Sequence, residues 1–511
     1  MADTGDYLEK RASTASVSHD GGDEVPLGRT ESKQELPKVL SGLQANWIGF
    51  NLIGIVPSIA STLVFSLPGG GTHGMIWAWL VCGVFMTVVS LAVAEIRSID
   101  YGAGGMYHSI INSSSSKHKR LLAWIVGYAN AIGNISSFAA ISWACGLQIM
   151  AGSMIGSGFM FQPTMAQTFG VYCGLVILQG TACSLSSAAL SKLQMPAFLL
   201  NILLWVVLVI ALPVVTSPGL NDVKFVFGTF TNVNKAWSDN VFAFLLTFLS
   251  PIWVLAKGTT ILHLGEESNC KRAVIPRAII ISALSNAILG WGLMIVLAFC
   301  MGNSLRAVLF SQSGEPMATI LLNSFGKSAM LAAWSFIIVL QFKMGMNMLN
   351  TASRQLFAFS RDGALNYRFT KNISLINSHT NTPVTATWYL VGLSILGGLL
   401  AFAGSNAICR TLFSSAVVGQ FTASTITIVV ARSGSGLGNG RALNLRFMSL
   451  PIAIVATIFM TVLSVILLFP DTQNPSGGTM NYTVAILGAV LVLSIVDFSY
   501  GKHNGVPNYF K

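Results

Sequence analysis

The chain has 511 residues, of which 53% are hydrophobic and only 9% are charged, with a formal net charge of +11. Ordinary soluble domains carry about 25% charged residues, and a surface that faces water is difficult to build from so few. This composition excludes a soluble enzyme, a nucleic-acid-binding module and a disordered scaffold. It predicts that a lipid bilayer surrounds most of the chain.

The first 40 residues differ from the rest in composition. They hold eight acidic and five basic side chains among many Ser, Thr and Gly residues, and they contain no apolar segment of the kind that forms a secretory signal. We therefore predict a disordered cytoplasmic tail at 1–40, a transmembrane domain at 41–501 and a short cytoplasmic tail at 502–511.

Twelve apolar runs are long enough to cross a bilayer, since a spanning helix needs about 20 residues. They are numbered here as spans 1 to 12. Their approximate limits are 45–67, 75–96, 121–152, 168–190, 195–216, 241–263, 276–301, 329–357, 383–404, 410–431, 447–469 and 480–500. The sequence thus predicts an all-α membrane protein.

The distribution of Lys and Arg indicates the orientation. With a cytoplasmic N-terminus, the loops and tail on the inside hold seventeen of these residues and the outside loops hold five. Positive residues are enriched in cytoplasmic loops, so both termini are predicted to be cytoplasmic. No Walker A phosphate loop is present, and twelve spans suit a secondary transporter better than an ATP-driven pump.

The seven cysteines form no Cys-x-x-Cys pair and lie mostly in apolar runs. This pattern argues against a disulfide framework or a zinc site. We expect no cofactor and no bound metal.

Span 1 contains a helix-breaking segment with Gly54 and Pro57 followed by Ser58 and Ser61. Pro57 removes a backbone donor, and the free N–H groups beyond a break can bind a carboxylate. The alternative is a plain proline kink compensated by neighbouring helices.

Span 6 carries a second disruption, in which Pro251 is followed by Trp253, Lys257, Gly258 and Thr259. Paired breaks in corresponding helices are typical of transporters built from two inverted repeats, here spans 1–5 and 6–10. Trp253 is expected either to cap a binding pocket or to serve as a packing anchor.

Lys257 is the most informative single residue, because a charge at membrane depth requires a partner or water. It is predicted to pair with a substrate carboxylate or to take part in proton coupling. The alternatives are a structural ion pair and a side chain that reaches the membrane surface. Lys343 in span 8 poses the same question.

His263, Glu266 and Glu267 stand at helical i, i+3, i+4 spacing at the end of span 6. Such spacing can hold a metal. We prefer a gate or ion-pair network, because Lys271 and Arg272 follow within about one helical turn.

Several strings resemble the fungal amino-acid/choline branch of the amino acid–polyamine–organocation permeases, and the likeness covers nearly everything after the tail. Glu95 and the Gly102-Ala103-Gly104-Gly105 stretch after it are similar to an acidic residue and a glycine pair of this family, and residues 353–365 are similar to its loop after span 8. The other strings that carry the likeness are residues 54–63, residues 222–227, His263 with Glu266-Glu267, and Ile275-Pro276.

The resemblance implies a LeuT-like fold, with a 5+5 inverted repeat, two further helices and discontinuous spans 1 and 6. It also implies that substrate binds between those breaks and that transport is proton-driven. The substrate-binding set is then Gly54, Pro57, Ser58, Ser61, Trp253, Lys257, Gly258 and Thr259. The set expected to form gates or ion pairs is Glu95, His263, Glu266, Glu267, Arg354, Arg361 and Asp362.

The chain departs from the family where Gly-Phe-Asp is frequent in span 6, because Lys257, Gly258 and Thr259 stand there. We therefore favour a secondary permease for an amino acid or GABA, in the plasma membrane or alternatively the vacuolar membrane. The main alternative is a permease for choline, a polyamine or an alkaloid-type metabolite, and a minor one is a nutrient sensor without flux. A membrane enzyme is disfavoured because no nucleophile–base or metal constellation is present.

Overall fold

The computed structural model describes residues 42–98, 105–113, 118–185, 187–233, 237–267, 274–364, 372–433 and 443–503. The tail predicted at 1–40 and nearly all of the tail predicted at 502–511 lie outside the described residues. The α-helices are α1 (Gly42–Ile53), α2 (Ile55–Ser66), α3 (Gly71–Arg97), α4 (Met106–Ser113), α5 (Lys119–Gly156), α6 (Met165–Ser184), α7 (Ser187–Lys192), α8 (Gln194–Thr216), α9 (Asn240–Leu246), α10 (Leu249–Ala256), α11 (Val274–Cys300), α12 (Leu305–Leu309), α13 (Pro316–Arg361), α14 (Val384–Gly398), α15 (Ser405–Ser433), α16 (Ser449–Ile466) and α17 (Thr483–His503).

Within the described ranges, ten helical segments are long and apolar enough to cross a membrane. The prediction of a helical protein with many membrane passes is therefore confirmed. Helices α6 and α17 lie at the positions predicted for spans 4 and 12, but neither is among these ten. Helix α6 buries polar side chains such as Gln179, and the described apolar part of α17 is short.

Span 8 is longer than predicted, because α13 extends over 46 residues from Pro316 to Arg361. Proline is tolerated in the first turn of a helix, where its missing N–H has no intrahelical acceptor to lose. At Gly326 the backbone is not helical, with φ 72° and ψ 175°. The apolar run predicted at 329–357 is therefore the second part of a bent element.

Helix α5 lies at the centre of the helical bundle, packed along α13 and α15. Helix α11 packs along α3. In the most apolar stretch of span 1, 89% of the residues are buried, whereas in that of span 5 only 22% are buried. Span 1 therefore belongs to the interior, and the exposed leucines of span 5 face lipid.

Both spans predicted to be disrupted have irregular backbone. Gly54 separates α1 from α2 with φ 53° and ψ 75°, a left-handed conformation that glycine adopts without steric strain. In span 6, α10 ends at Ala256 and a 3₁₀ helix follows over Lys257–Glu267. Runs of 3₁₀ helix are usually limited to three or four residues, so this one marks an unusual stretch of backbone.

A two-residue ribbon joins these spans at one end of the bundle. The strand β1 (Gly69–Gly70), directly after span 1, pairs antiparallel with β2 (Thr231–Asn232), which precedes span 6. A Cβ atom on Gly69 would lie 2.0 Å from the carbonyl oxygen of Ala243, so only glycine fits this approach. We call this end of the bundle, where span 1 ends, the far side, and the end where span 1 begins the near side.

Candidate functional site

The break in span 1 leaves a backbone carbonyl group without its helical N–H donor, and a side-chain hydroxyl group donates a hydrogen bond to it instead. Proline at position 57 has no N–H to donate to the carbonyl oxygen of Ile53, four residues earlier. The Oγ atom of Ser58 donates a hydrogen bond to that oxygen instead. The sequence Gly54 to Ser58 thus breaks the helix and satisfies the carbonyl that the break leaves free.

Lys257 from span 6 reaches this same hydroxyl group. Its side chain is only 1% exposed, and its Nζ atom lies 3.0 Å from Ser58 Oγ as a hydrogen-bond donor. The ammonium group also lies 3.5 Å from the ring centroid of Trp253 and 3.7 Å from Met344 Sδ. None of these partners carries a negative charge, and the described part of the chain places no carboxylate within ion-pair distance of Lys257.

Three predicted residues therefore come together around one point: Ser58, Trp253 and Lys257. Gly54 lies beside them, since a Cβ atom there would lie 2.8 Å from Met344 Sδ. Gly258 lets span 6 approach span 1, because its Cβ would lie 3.1 Å from Ile53 Cδ1. These residues form the buried site, which we call the lysine site.

Pro57, Ser61 and Thr259 have other contacts. The Pro57 carbonyl accepts a hydrogen bond from Gln148 Nε2 at 3.4 Å. Ser61 donates to the Ser58 carbonyl, and Thr259 donates to the carbonyl of Ala256. The structure therefore places these three beside the lysine site without a contact to the ammonium group.

On the far side, a cavity of about 530 Å³ opens above the lysine site. Ser61 and Phe65 of span 1 line it, together with Phe413 of span 10. The ring of Phe413 packs on Trp253 with centroids 4.4 Å apart. Because Trp253 contacts Lys257 as well, this aromatic pair separates the cavity, called here the far-side cavity, from the lysine site.

Glu95, at the near end of span 2, is fully buried and has several partners. Arg432 Nη2 lies 2.7 Å from Glu95 Oε2, and the hydroxyl group of Ser449 donates to the same carboxylate. The backbone N–H of Leu445 adds a further hydrogen bond at 3.3 Å. This cluster joins spans 2, 10 and 11 at the near side.

Asp362, just after span 8, holds a second near-side cluster. His108 Nε2 lies 2.6 Å from its carboxylate, Tyr107 donates at 2.8 Å, and Arg361 lies 3.4 Å away. Burial by itself raises the pKa of Asp362, but the hydrogen bonds from His108 and Tyr107 and the charge of Arg361 outweigh it and lower the pKa. Arg354 lies earlier in α13, is buried, and donates a hydrogen bond to Ser353 Oγ.

His263 is buried at the near end of span 6 and contacts Asn130 of span 3, with 2.9 Å between His263 Nε2 and Asn130 Nδ2. It also packs against Gly105, where a Cβ atom would lie 2.5 Å from the imidazole Cε1. The side chains of Glu266 and Glu267 lie outside the described residues. Of the three residues predicted to form a gate here, the structure therefore describes only the side chain of His263.

A buried amide cluster that was not predicted from the sequence joins spans 1, 5 and 8. Asn51 Nδ2 donates to the carbonyl of Gln194 at 2.8 Å, and Gln194 Nε2 donates to Asn347 Oδ1 at 2.9 Å. Lys343, singled out from the sequence, donates to the same Asn347 oxygen at 2.6 Å. The signal was available, because polar side chains inside apolar spans usually find partners in other helices.

The sequence of this chain matches the amino acid permease family over residues 40–491. It is 30% identical over 476 residues to the GABA-specific permease of Saccharomyces cerevisiae, which covers 92% of this chain and 82% of that protein. It is 28% identical to an uncharacterized amino-acid permease of Schizosaccharomyces pombe, with 93% and 85% covered, and 26% identical to amino-acid permease 2 of Neurospora crassa, with 90% and 85% covered.

The family match spans most of the chain, and it agrees with the apolar helices and with the resemblance read from the sequence. The names of these three relatives refer to amino acids and GABA, and they give the choline alternative no support. The chain belongs to the amino acid permease family and is a membrane transporter, not an enzyme.

Proposed function

We propose that this permease is a secondary transporter of an amino acid or GABA, and that it binds the substrate carboxylate at the lysine site. In this proposal the protein has twelve spans in a LeuT-like arrangement, with a 5+5 inverted repeat followed by two further helices. The irregular backbone at Gly54 and at Lys257–Glu267 supports the two discontinuous spans.

One observation carries the proposal: the buried ammonium group of Lys257 has only uncharged partners among the described residues. It meets Ser58 in the first turns of α2, at the end of a helix where the backbone dipoles present partial positive charge. The described residues therefore place no carboxylate beside the ammonium group to balance its charge. A substrate carboxylate supplies the missing negative charge.

The coupling ion in this proposal is the proton. Lys257 is a titratable group at the break, and its hydrogen bond to Ser58 ties its charge to the backbone of span 1. Loss or gain of a proton there changes the electrostatic balance at the substrate site. Proton coupling also accords with the resemblance to proton-driven permeases.

The substrate is tested by uptake of labelled amino acids, GABA, choline and polyamines into cells that lack their own carriers. We expect saturable uptake of an amino acid or GABA that increases when the external medium is acidified. Uptake restricted to choline or polyamines would contradict the substrate, and uptake that ignores a proton gradient would contradict the coupling ion.

The orientation is a separate part of the proposal. We propose that the near side and both termini face the cytoplasm of a plasma-membrane protein, as the positive-inside count indicates. Tags at residues 1 and 511 should be inaccessible to antibody in intact cells and accessible after permeabilisation. Labelling from outside would contradict this orientation, and a tag signal confined to the vacuole would favour the alternative membrane.

A further inference from the structure

The wall of the far-side cavity differs in charge from the chain as a whole. The full sequence has a formal net charge of +11. Among the described residues that line the cavity there are two acids, Glu315 and Asp471, and no lysine, arginine or histidine. The described wall of the far-side cavity therefore carries acidic side chains and no basic ones, in contrast to the chain as a whole.

The two acids are in different situations. Asp471 is paired with Arg410, whose Nη1 atom lies 2.7 Å from its carboxylate. Glu315 is only 5% exposed, and no described group donates a hydrogen bond to its carboxylate or pairs with it. It precedes α13 as the N-cap residue, yet its side chain makes no capping bond. A buried carboxylate of this kind, facing a cavity, lacks the cation that would compensate it.

The backbone around Glu315 is held in place by hydroxyl groups. Thr319 Oγ1 donates to Ser311 Oγ at 2.8 Å, and Ser313 Oγ accepts a hydrogen bond from the N–H of Glu315 at 3.4 Å. Gly314 between them has a φ of 68°, which favours glycine. The carboxylate is thus presented to the cavity by an ordered turn, and this reduces the conformational entropy lost when a ligand binds.

Aromatic rings provide the rest of a cation-binding surface. Phe65, Trp237 and Phe413 line the far-side cavity, as does Phe310, whose ring already has the Arg306 guanidinium carbon 5.7 Å from its centroid. The faces of aromatic rings attract ammonium groups, and recognition of alkylated ammonium ions by such rings is a common use of this interaction. A carboxylate with aromatic neighbours fits an organic cation better than it fits an anion or a neutral solute.

We propose that the far-side cavity is a binding site for an alkylammonium group, with the Glu315 carboxylate as its counter-ion. The inference rests on the proposed function for its meaning in transport: the cavity binds the amino group of the substrate on entry, before the substrate carboxylate reaches the lysine site. Phe413 and Trp253 lie between the two sites, so the substrate meets Glu315 first when it enters from the far side.

Ionisation of Glu315 makes this binding dependent on pH. Burial raises the pKa of Glu315 to about 8, so the carboxyl group is largely neutral below that pH in the empty cavity. The titratable groups that line the cavity with it are Asp471, which Arg410 neutralises, and the thiol group of Cys409, and Arg306 lies over the lining ring of Phe310. An alkylammonium ion has a pKa near that of lysine, about 10.4, and stays charged at pH 9. Its affinity should therefore increase between pH 6 and pH 9.

The test uses n-butylammonium as the probe and butyrate as its anionic counterpart, with the purified full-length protein in lipid nanodiscs and calorimetry as the readout. Wild-type protein should bind n-butylammonium more tightly at pH 9 than at pH 6. Glu315→Gln should lose about 10-fold or more in affinity at pH 9, because a charge-assisted contact is removed, and its binding should no longer depend on pH. Asp222→Asn is the matched control, since Asp222 is an exposed acid beside the same far-side loops, and should behave like the wild type.

Equal affinity of Glu315→Gln and wild type, or wild-type binding that ignores pH, would overturn the proposal. Should Glu315→Gln fail to fold, the wild-type pH profile alone decides, because a flat profile excludes a titrating counter-ion. Binding of n-butylammonium is measured without any transport. Uptake of GABA together with n-butylammonium binding that does not depend on Glu315 would overturn this inference and leave the proposed function intact. Glu315-dependent binding without uptake of amino acids or GABA would overturn the proposed function and leave the binding site intact.

Discussion

Glu95 and Lys257 are both buried ionisable residues in membrane spans, but their surroundings differ completely. Glu95 is 0% exposed and is compensated by Arg432 and Ser449. Lys257 is 1% exposed and contacts a hydroxyl group, a thioether and an aromatic ring. A compensated charge stabilises one arrangement of helices, whereas a charge with neutral neighbours can still gain free energy from a ligand.

We expect buried charges with compensating partners to act in folding and those without such partners to act in binding. The near-side clusters around Glu95 and Asp362 each contain acidic and basic groups; the first joins spans 2, 10 and 11, and the second joins α4 to the end of α13. Among the described residues, the lysine site holds a basic group without an acidic partner, and the far-side cavity holds an acidic group, Glu315, without a basic partner. Substitutions should therefore affect folding in the first pair of sites and binding in the second.

The largest effect should come from Arg432→Met, which leaves the Glu95 carboxylate buried without its counter-ion. Loss of one partner of a buried pair typically costs about 3–5 kcal/mol. The thermal unfolding midpoint of the purified protein should drop strongly, and the double variant Glu95→Gln, Arg432→Met should recover much of it. Arg446→Met, at an exposed arginine of the same loop, serves as the control and should leave the midpoint unchanged.

Lys257→Met tests the other half of the comparison. Methionine keeps the apolar stem and removes the ammonium group, so we expect normal folding and a loss of about 10- to 100-fold in affinity for carboxylate substrates. Substrate binding and thermal stability are measured on the same preparation, with Lys224→Met as an exposed control.

Other outcomes of Lys257→Met have distinct meanings. Retained binding with loss of the pH dependence of transport would assign Lys257 to proton coupling. A strongly destabilised variant would make it a structural residue, and wild-type values in all three assays would remove it from the mechanism.

Gly54→Ala should have an intermediate effect on stability. A left-handed backbone costs a residue with a Cβ atom about 1–2 kcal/mol, and the new atom would lie 2.8 Å from Met344 Sδ. We expect reduced transport together with a lower unfolding midpoint. Gly392→Ala is the matched control, because a Cβ atom there meets nothing within 4 Å. Equal behaviour of the two variants would show that the break tolerates a side chain.

The smallest effect should be the pH dependence contributed by Asp362. Because its pKa is lowered in the folded protein, its contribution to stability is present above its unfolded pKa, about 3.9, and is lost as the pH falls through the lowered value. At pH 7 the wild type should unfold at a higher temperature than Asp362→Asn, and the two should converge in strong acid. Asp222→Asn is the control at an exposed acid, and its unfolding temperature should not differ from that of the wild type in this pH-dependent way. A constant difference between wild type and Asp362→Asn across this range would contradict a stabilising role for the Asp362 carboxylate.

The sequence predicted those features that are local in the chain. Apolar runs located the helices, and Gly54 and Pro57 located the break in span 1, because these residues act on the backbone within one turn. Lys257 stood out for the same reason, as a charge inside an apolar run. The twelve-span count and the inverted repeat remain predictions.

The contacts that define the sites join residues far apart in the chain, and the sequence alone did not reveal them. Met344 reaches Lys257 from span 8, and Asp362 meets His108 across 254 residues. Glu315 escaped notice because span 8 was predicted to begin at residue 329, although an acid directly before a proline is a recognisable helix start. Such pairings depend on how the helices pack, which no local pattern specifies.

The short ribbon of Gly69–Gly70 and Thr231–Asn232 has a mechanical consequence. It fastens the end of α2 to the segment that leads into α9, and Gly69 lies in close contact with Ala243. A tilt of the far half of span 1 therefore pulls on the far half of span 6 through backbone hydrogen bonds. The far halves of the two broken spans are therefore linked to each other by this ribbon. Their near halves, on the other side of Gly54 and Lys257, are not part of the ribbon.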